Sequence, residues 1–174
     1  MKETPKKIIE FTITYNKYKL RIYNYVLKMV SDKMLCEDIV QNIFLKFYEN
    51  MDLIKNKNSI SYWLFKTARN DIYSFFRSKK VKSDQFNVLD VDEVNKASSE
   101  NLEIEYEKRE LKNIVLNELD NLPDEQKEIY LLKEYGGLSY KEVAGIMEID
   151  ENLVKSRLYK TRQKLISLIR KVET

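Results

Sequence analysis

Histidine is absent from this 174-residue chain, and cysteine occurs once, at Cys36. Without histidine, a Ser-His or Cys-His nucleophile pair has no base, and a zinc site of the usual Cys/His kind lacks ligands. A single cysteine excludes an intrachain disulfide. Glycine and proline are scarce, with three and two residues. That is too little turn chemistry for a many-stranded β fold, so helices are expected. No apolar stretch approaches the roughly 20 residues that span a bilayer. The opening MKETPKKIIE is not a signal peptide. Carboxylates are not clustered as a nucleic-acid enzyme would need. The expectation is an all-α, cytoplasmic protein that is not an enzyme, with no cofactor, no metal and no small-molecule substrate.

What is present is charge, unevenly spread. Hydrophobic residues make up 43% of the chain and charged residues 34%, with a net charge of only +3. From Met1 to Lys80 there are 16 Lys/Arg against 8 Asp/Glu. From Val81 to Glu128 the balance is 6 against 14, and from Ile129 to Thr174 it is 9 against 6. Two basic lobes flanking an acidic middle suggest a polyanion partner, provided the cations gather on particular faces.

Apolar spacing divides the chain into helices. Tyr18, Ile22, Tyr25, Val26 and Met29 mark one over Thr14 to Val30. Leu35, Ile39, Ile43, Phe44 and Phe47 mark a second over Met34 to Met51. A third covers Ile60 to Lys80. Residues 81–99 have no sustained period and are rich in Asp, Asn and Ser, which reads as an acidic, flexible linker. A stripe through Leu111, Ile114, Val115 and Leu119 resumes over Glu100 to Leu122. Pro123 suits the first turn of another helix, with Asp124 and Glu125 near its positive end; that helix runs to about Tyr135, where Gly136-Gly137 stops it. The predicted architecture is two small helical domains, 1–82 and 100–174, joined by a linker over 83–99.

Within the second domain, SYKEVAGIMEIDENLVKSRLYK at 139–160 reads as a helix-turn-helix. Ser139 and Glu142 form a capping box, and Val143, Ile146 and Met147 give a short helix its buried side. Ala144 is small where two helices would cross. Asp150 is a plausible N-cap for the next helix. At about 100° per residue, Val154, Leu158, Thr161, Leu165 and Leu168 fall on one side of that helix. Asn152, Lys155, Ser156, Tyr159 and Lys160 fall on nearly the opposite side. Such a hydrogen-bonding, cationic cluster in the first turns suits a recognition helix in a major groove. Arg157 and Arg162 lie off this face, where they suit phosphates or neighbouring acids. The turn calls for a residue at φ > 0, and Glu148 occupies that place at a cost of about 1 kcal/mol.

The first domain carries a second cationic face, in SYWLFKTARNDIYSFFRSKK at 61–80. Phe65, Ala68, Ile72, Phe75 and Phe76 share one side. Lys66, Arg69, Asn70, Tyr73 and Arg77 share another, roughly 140° away. Cations interleaved with an amide and a ring suit a single strand, phosphates to Lys and Arg and bases to rings. The polar loop before it, Asn56 to Ser61, suits an unstacked base. Trp63 is read as core, with base stacking as the alternative.

With these stretches, the chain resembles the extracytoplasmic-function (ECF) sigma factors, small two-domain initiation subunits of bacterial RNA polymerase. CEDIVQNIFLKFYEN at 36–50 looks like the family's polymerase-clamp helix, WLFKTARNDIYSFFRSKK at 63–80 like its promoter-melting helix, and residues 122–165 like its upstream-element domain. VKSRLYKTRQKL at 154–165 is the most specific of the three.

The resemblance implies a function and partners. The protein would bind core RNA polymerase and promoter DNA and direct promoter-specific initiation. Glu37, Asp38 and Gln41 would contact polymerase. Asn58, Ser59, Lys66, Arg69, Asn70, Tyr73 and Arg77 would hold the melted minus-ten strand. Asn152, Lys155, Ser156, Tyr159 and Lys160 would read the minus-thirty-five duplex. The acidic linker would thread the RNA exit path, and an anti-sigma factor, often membrane-anchored in such systems, would hold the protein. Three positions depart from the family's habit: Ser74 stands where an acid is common, Asn42 where Glu is common, and Glu148 where the turn glycine belongs. The competing reading is a dimeric helix-turn-helix regulator with no role as a polymerase subunit.

Overall fold

A computed structural model describes residues 4–79 and 102–172. The predicted linker over 83–99 and Lys80 lie outside the described residues. Among the described residues there is no strand, and the helices divide into two compact units. One is built on three helices and the other on four.

The first unit opens with α1 (Pro5–Val30), nine residues earlier than its apolar pattern suggests. Proline is tolerated at a helix start because its missing N–H would have no partner there, and the Thr4 carbonyl accepts from the Lys7 N–H at 2.9 Å. The first turns are anchored by Phe11, whose ring stacks on Tyr15 and Phe47 and meets Tyr48 edge-on. Thr14, Tyr18, Ile22, Tyr25 and Val26 follow as the buried seam. The helix ends at Ser31 in left-handed geometry, φ 54°, with its N–H donating to the Leu27 carbonyl. Asp32 then caps α2 (Lys33–Asn50) by accepting from the Leu35 N–H at 3.0 Å.

Helix α2 buries Cys36, Ile39, Val40, Ile43, Phe44 and Phe47 against its neighbours. The Cys36 thiol donates to the Tyr23 carbonyl. Burial, with the Glu37 and Asp32 carboxylates adding to it, pushes the thiol up to about 12 from an ordinary 9.0. A thiol held that far from thiolate is a packing group, not a nucleophile. Short 3₁₀ turns, Met51–Leu53 and Lys57–Ser59, lead into α3 (Ile60–Lys79). Leu64, Phe65, Ala68 and Ile72 form its buried face, with Phe65 meeting Tyr25 edge-on. Phe75 and Phe76, on the same side in the last turns of the helix, are only half-buried.

The second unit comprises α4 (Leu102–Asp120), α5 (Asp124–Tyr130), α6 (Tyr140–Met147) and α7 (Glu151–Val172). Pro123 precedes α5, and Asp124 and Glu125 fill its first turn as expected. The chain does not remain α-helical to Tyr135, because Leu131–Tyr135 is a π-helical turn. Gly137, at φ 65°, follows it. Helix α7 packs against α4, α5 and α6. Lys164 pairs with Glu118 at 2.5 Å, Arg157 pairs with Glu125, and Lys127 bridges to Asp120 at 2.6 Å. Arg157 therefore does meet a neighbouring acid, as its position off the α7 face suggested.

Candidate nucleic-acid interface

The helix-turn-helix forms from local chemistry. The Glu142 N–H donates to the Ser139 hydroxyl at 3.1 Å, and the Ser139 N–H donates to the Glu142 carboxylate at 2.8 Å. This is the capping box that starts α6. Val143, Ala144, Ile146 and Met147 are buried. The turn closes on Glu148 at φ 57°, whose N–H donates to the Ala144 carbonyl, so glutamate adopts the left-handed conformation itself. Asp150 accepts from the Asn152 N–H at 2.8 Å and the turn of α7 follows.

That entry fixes which side of α7 faces outward. Val154, Leu158, Thr161 and Leu165 are buried. Asn152, Lys155, Ser156, Tyr159 and Lys160 are all exposed, with Tyr159 at 65%. These five side chains form a continuous outward strip over the first three turns. Lys155 is held on two sides: its ammonium lies 3.1 Å from the Glu151 carboxylate and 5.5 Å from the centre of the Tyr140 ring.

The α3 face is built differently. Asn58, Asn70 and Arg77 are exposed, while Ser59, Lys66, Arg69 and Tyr73 are half-buried. The Lys66 ammonium donates to the Tyr62 hydroxyl at 3.3 Å and lies 5.5 Å from that ring's centre. The Arg69 guanidinium sits 4.6 Å from the centre of the Tyr73 ring. Tyr62 thus belongs to this stripe, though the sequence reading passed over it. Its spacing of four residues before Lys66 was the available signal. Trp63 is half-buried, with its ring tilted on Phe47 at 5.9 Å, so it is neither wholly core nor a free platform. The loop expected over Asn56 to Ser61 is shorter: residues 57–59 are a 3₁₀ turn, and Ser61 already lies in α3. Asn56 caps that turn by accepting from the Asn58 N–H at 3.0 Å.

Helix α2 presents Glu37, Asp38 and Gln41 to solvent. Met34 and Leu45 are exposed on the same side at 78% and 58%, two apolar groups that the sequence reading did not single out. Asn42 has a partner: it donates to Asp71 of α3 at 3.1 Å, and Lys46 pairs with the same carboxylate at 2.6 Å. A glutamate at position 42 would repel Asp71, so the asparagine fits its setting.

Residues 14–81 match the family described as Sigma-70 region 2, and residues 112–165 match Sigma-70, region 4. The ECF RNA polymerase sigma factor SigM of Bacillus subtilis (strain 168) is 30% identical over 157 residues, covering 88% of this chain and 91% of the relative. The chain belongs to the ECF sigma factors. It directs transcription initiation as an alternative sigma factor, and the dimeric-regulator reading is not favoured. The ECF sigma-E factor of Haemophilus influenzae is 26% identical over 159 residues, covering 88% of this chain and 84% of the relative.

Two solved structures share the fold of this ECF sigma factor. The sigma factor RpoE from Bartonella quintana, solved with the anti-sigma factor NepR, aligns with a TM-score of 0.68 at 22% identity, covering 89% of this chain and 95% of that one. CnrH, solved with the cytosolic domain of CnrY, aligns at 0.62 and 17% identity, covering 92% and 87%. The region 2 match contains both α2 and α3, and the region 4 match contains the whole outward strip of α7. No described helix of this sigma factor is long and apolar enough to cross a membrane.

Proposed function

We propose that this sigma factor divides promoter recognition between its two units. Asn152, Lys155, Ser156, Tyr159 and Lys160 read the minus-thirty-five element as duplex. Asn58, Ser59, Lys66, Arg69, Asn70, Tyr73 and Arg77, joined by Tyr62, hold the opened minus-ten strand. Glu37, Asp38 and Gln41, with Met34 and Leu45 as apolar anchors, dock core RNA polymerase. The observation that carries the reading is the outward strip on α7, where all five expected side chains are exposed and the opposite side is core.

The physical logic needs no catalysis by this chain, and we assign it none. Opening a promoter costs a few kcal/mol for each unstacked step, and a base captured against rings and cations offsets part of that. Two weak DNA contacts carried by one polymerase-bound subunit reinforce each other through effective concentration. The site of action is the cytoplasm, where polymerase and promoter meet. An anti-sigma factor is the proposed inhibitor, supported by the fold neighbour RpoE, which was solved with the anti-sigma factor NepR.

The test mixes purified protein with core polymerase on duplex and pre-melted promoter templates. Promoter-specific transcripts that need both proteins are expected. Tight, sequence-specific binding by the protein alone, with no gain from polymerase, would overturn the reading.

A further inference from the structure

Lys155 differs from a free surface lysine, and the difference has a consequence that rests on the proposed reading of α7. A lysine is a flexible point charge, and aiming it at a base edge costs rotamer entropy. Here the ammonium is restrained from two directions. Glu151, one turn earlier on α7, lies 3.1 Å away, and the face of Tyr140, the first residue of α6, lies 5.5 Å from it. The same ring also attracts Lys133, on the π-helical turn, at 5.0 Å. A chain of contacts therefore runs from the π-helical turn through Tyr140 to the recognition helix.

We propose that Tyr140 is a positioning residue for base readout: its ring and the Glu151 carboxylate together hold the Lys155 ammonium in the direction from which it meets a base edge. The electrostatics favour a base over a phosphate. A carboxylate at 3.1 Å cancels much of the lysine's charge at longer range and itself repels phosphate. What remains at Lys155 is a directed donor, suited to the acceptor edge of a guanine in the major groove. Tyr140 is half-buried and α6 has its own core residues, so shortening the ring removes the restraint without emptying the core.

The experiment uses holoenzyme assembled from the full chain and core polymerase. It measures binding to a pool of promoters randomised across the upstream element. Lys155→Ala identifies the base pair that Lys155 reads, as the position where preference flattens. Tyr140→Leu is expected to lower discrimination at that same position by about threefold to tenfold, the range for releasing one immobilised side chain, and to leave other positions unchanged. Tyr140→Phe keeps the ring face and restores wild-type discrimination. In the Lys155→Ala background, Tyr140→Leu has no further effect. Glu151→Gln raises binding to all sequences while lowering the preference at that position. Three results would overturn the proposal: unchanged discrimination in Tyr140→Leu, a uniform loss across all positions with a shallower salt dependence (the mark of a phosphate contact), or a Tyr140→Phe variant as poor as Tyr140→Leu. If Lys155→Ala itself flattens no position, the reading of Lys155 falls first and the role of Tyr140 falls with it.

Discussion

The two cationic faces are made from the same residue types yet differ in how far they stand clear of the protein. On α7 all five side chains of the polar strip are exposed, with Lys155 restrained by neighbours, and the opposite side is core, so the helix can enter a groove as a rod. On α3, Lys66, Arg69 and two rings are half-buried and tied to one another, Lys66 to Tyr62 and Arg69 to Tyr73, while Arg77 at the end of the helix is exposed. A duplex presents base edges at a fixed depth, so its reader must project. A separated strand brings its own flexible bases, and its holder gains from rings and cations already restrained. That contrast in exposure supports the division proposed above, duplex to α7 and opened strand to α3.

The largest expected effects test whether each face depends on its own core. Ile72 beneath the α3 stripe and Leu158 beneath the α7 strip are both essentially fully buried. Ile72→Ala and Leu158→Ala should each cost about 2–5 kcal/mol of stability in denaturant unfolding. Hydrogen exchange should place the first loss in α1–α3 and the second in α4–α7. Uniform loss of protection in both units, from either substitution, would mean that the two faces do not rest on separate cores.

Next comes the functional contrast itself. Lys160→Ala should weaken use of the upstream element, by about 1–3 kcal/mol if it meets a base edge. Tyr73→Ala should leave that element's binding intact and slow strand opening, by about 1–3 kcal/mol for one lost stacking platform. A fluorescent base in the minus-ten element measures opening, and competition between promoter duplexes measures the upstream contact. Equal effects of both substitutions on both readouts would erase the distinction drawn here.

A smaller effect lies between α2 and α3. Asp71 accepts from Asn42 and pairs with Lys46, and it is far less exposed than Lys46. Asp71→Ala should cost about 1–2 kcal/mol, more than an exposed pair, because charge-assisted hydrogen bonds to a largely buried carboxylate are lost. The second unit's more open Lys155–Glu151 pair should contribute less than about 1 kcal/mol to stability. Chemical denaturation of Asp71→Ala and Glu151→Gln compares them directly, and equal losses would refute the burial argument.

Much of the fold was legible where the determinants are local. The capping box, the buried spacing on α7 and the glutamate forced into the turn all follow from residues within a few positions of each other. The start of α1 was not legible, because Ile9 and Ile13 are exposed and blur the apolar stripe, while Phe11 finds its partners on α2. Nor was the Asn42–Asp71 bond, which joins residues 29 apart in sequence. For the interface, the outward strip of α7 was readable residue by residue. Tyr62 was signalled only by its spacing four residues before Lys66 on the same helix, and the half-burial of Trp63 was not legible, since it depends on packing against Phe47 of α2.

The smallest effect compares the two left-handed helix ends, Ser31 after α1 and Glu148 after α6, at φ 54° and 57°. Each carries a Cβ in a conformation that costs roughly 1 kcal/mol or somewhat more for most residues. Glycine removes that strain but frees the unfolded chain, which takes back about 0.4–1 kcal/mol. The two terms nearly cancel, so Ser31→Gly and Glu148→Gly should change stability by between about 0 and +1 kcal/mol. Asparagine separates the terms, because it tolerates the left-handed region while keeping a side chain. Glu148→Asn should therefore match or exceed Glu148→Gly in thermal unfolding. Removing Glu148 also takes a negative charge from the turn beside the recognition helix, so either substitution should strengthen DNA binding slightly at low salt and not at high salt. A loss of stability in Glu148→Gly beyond about 0.5 kcal/mol would mean that the glutamate side chain contributes contacts worth more than the strain it imposes.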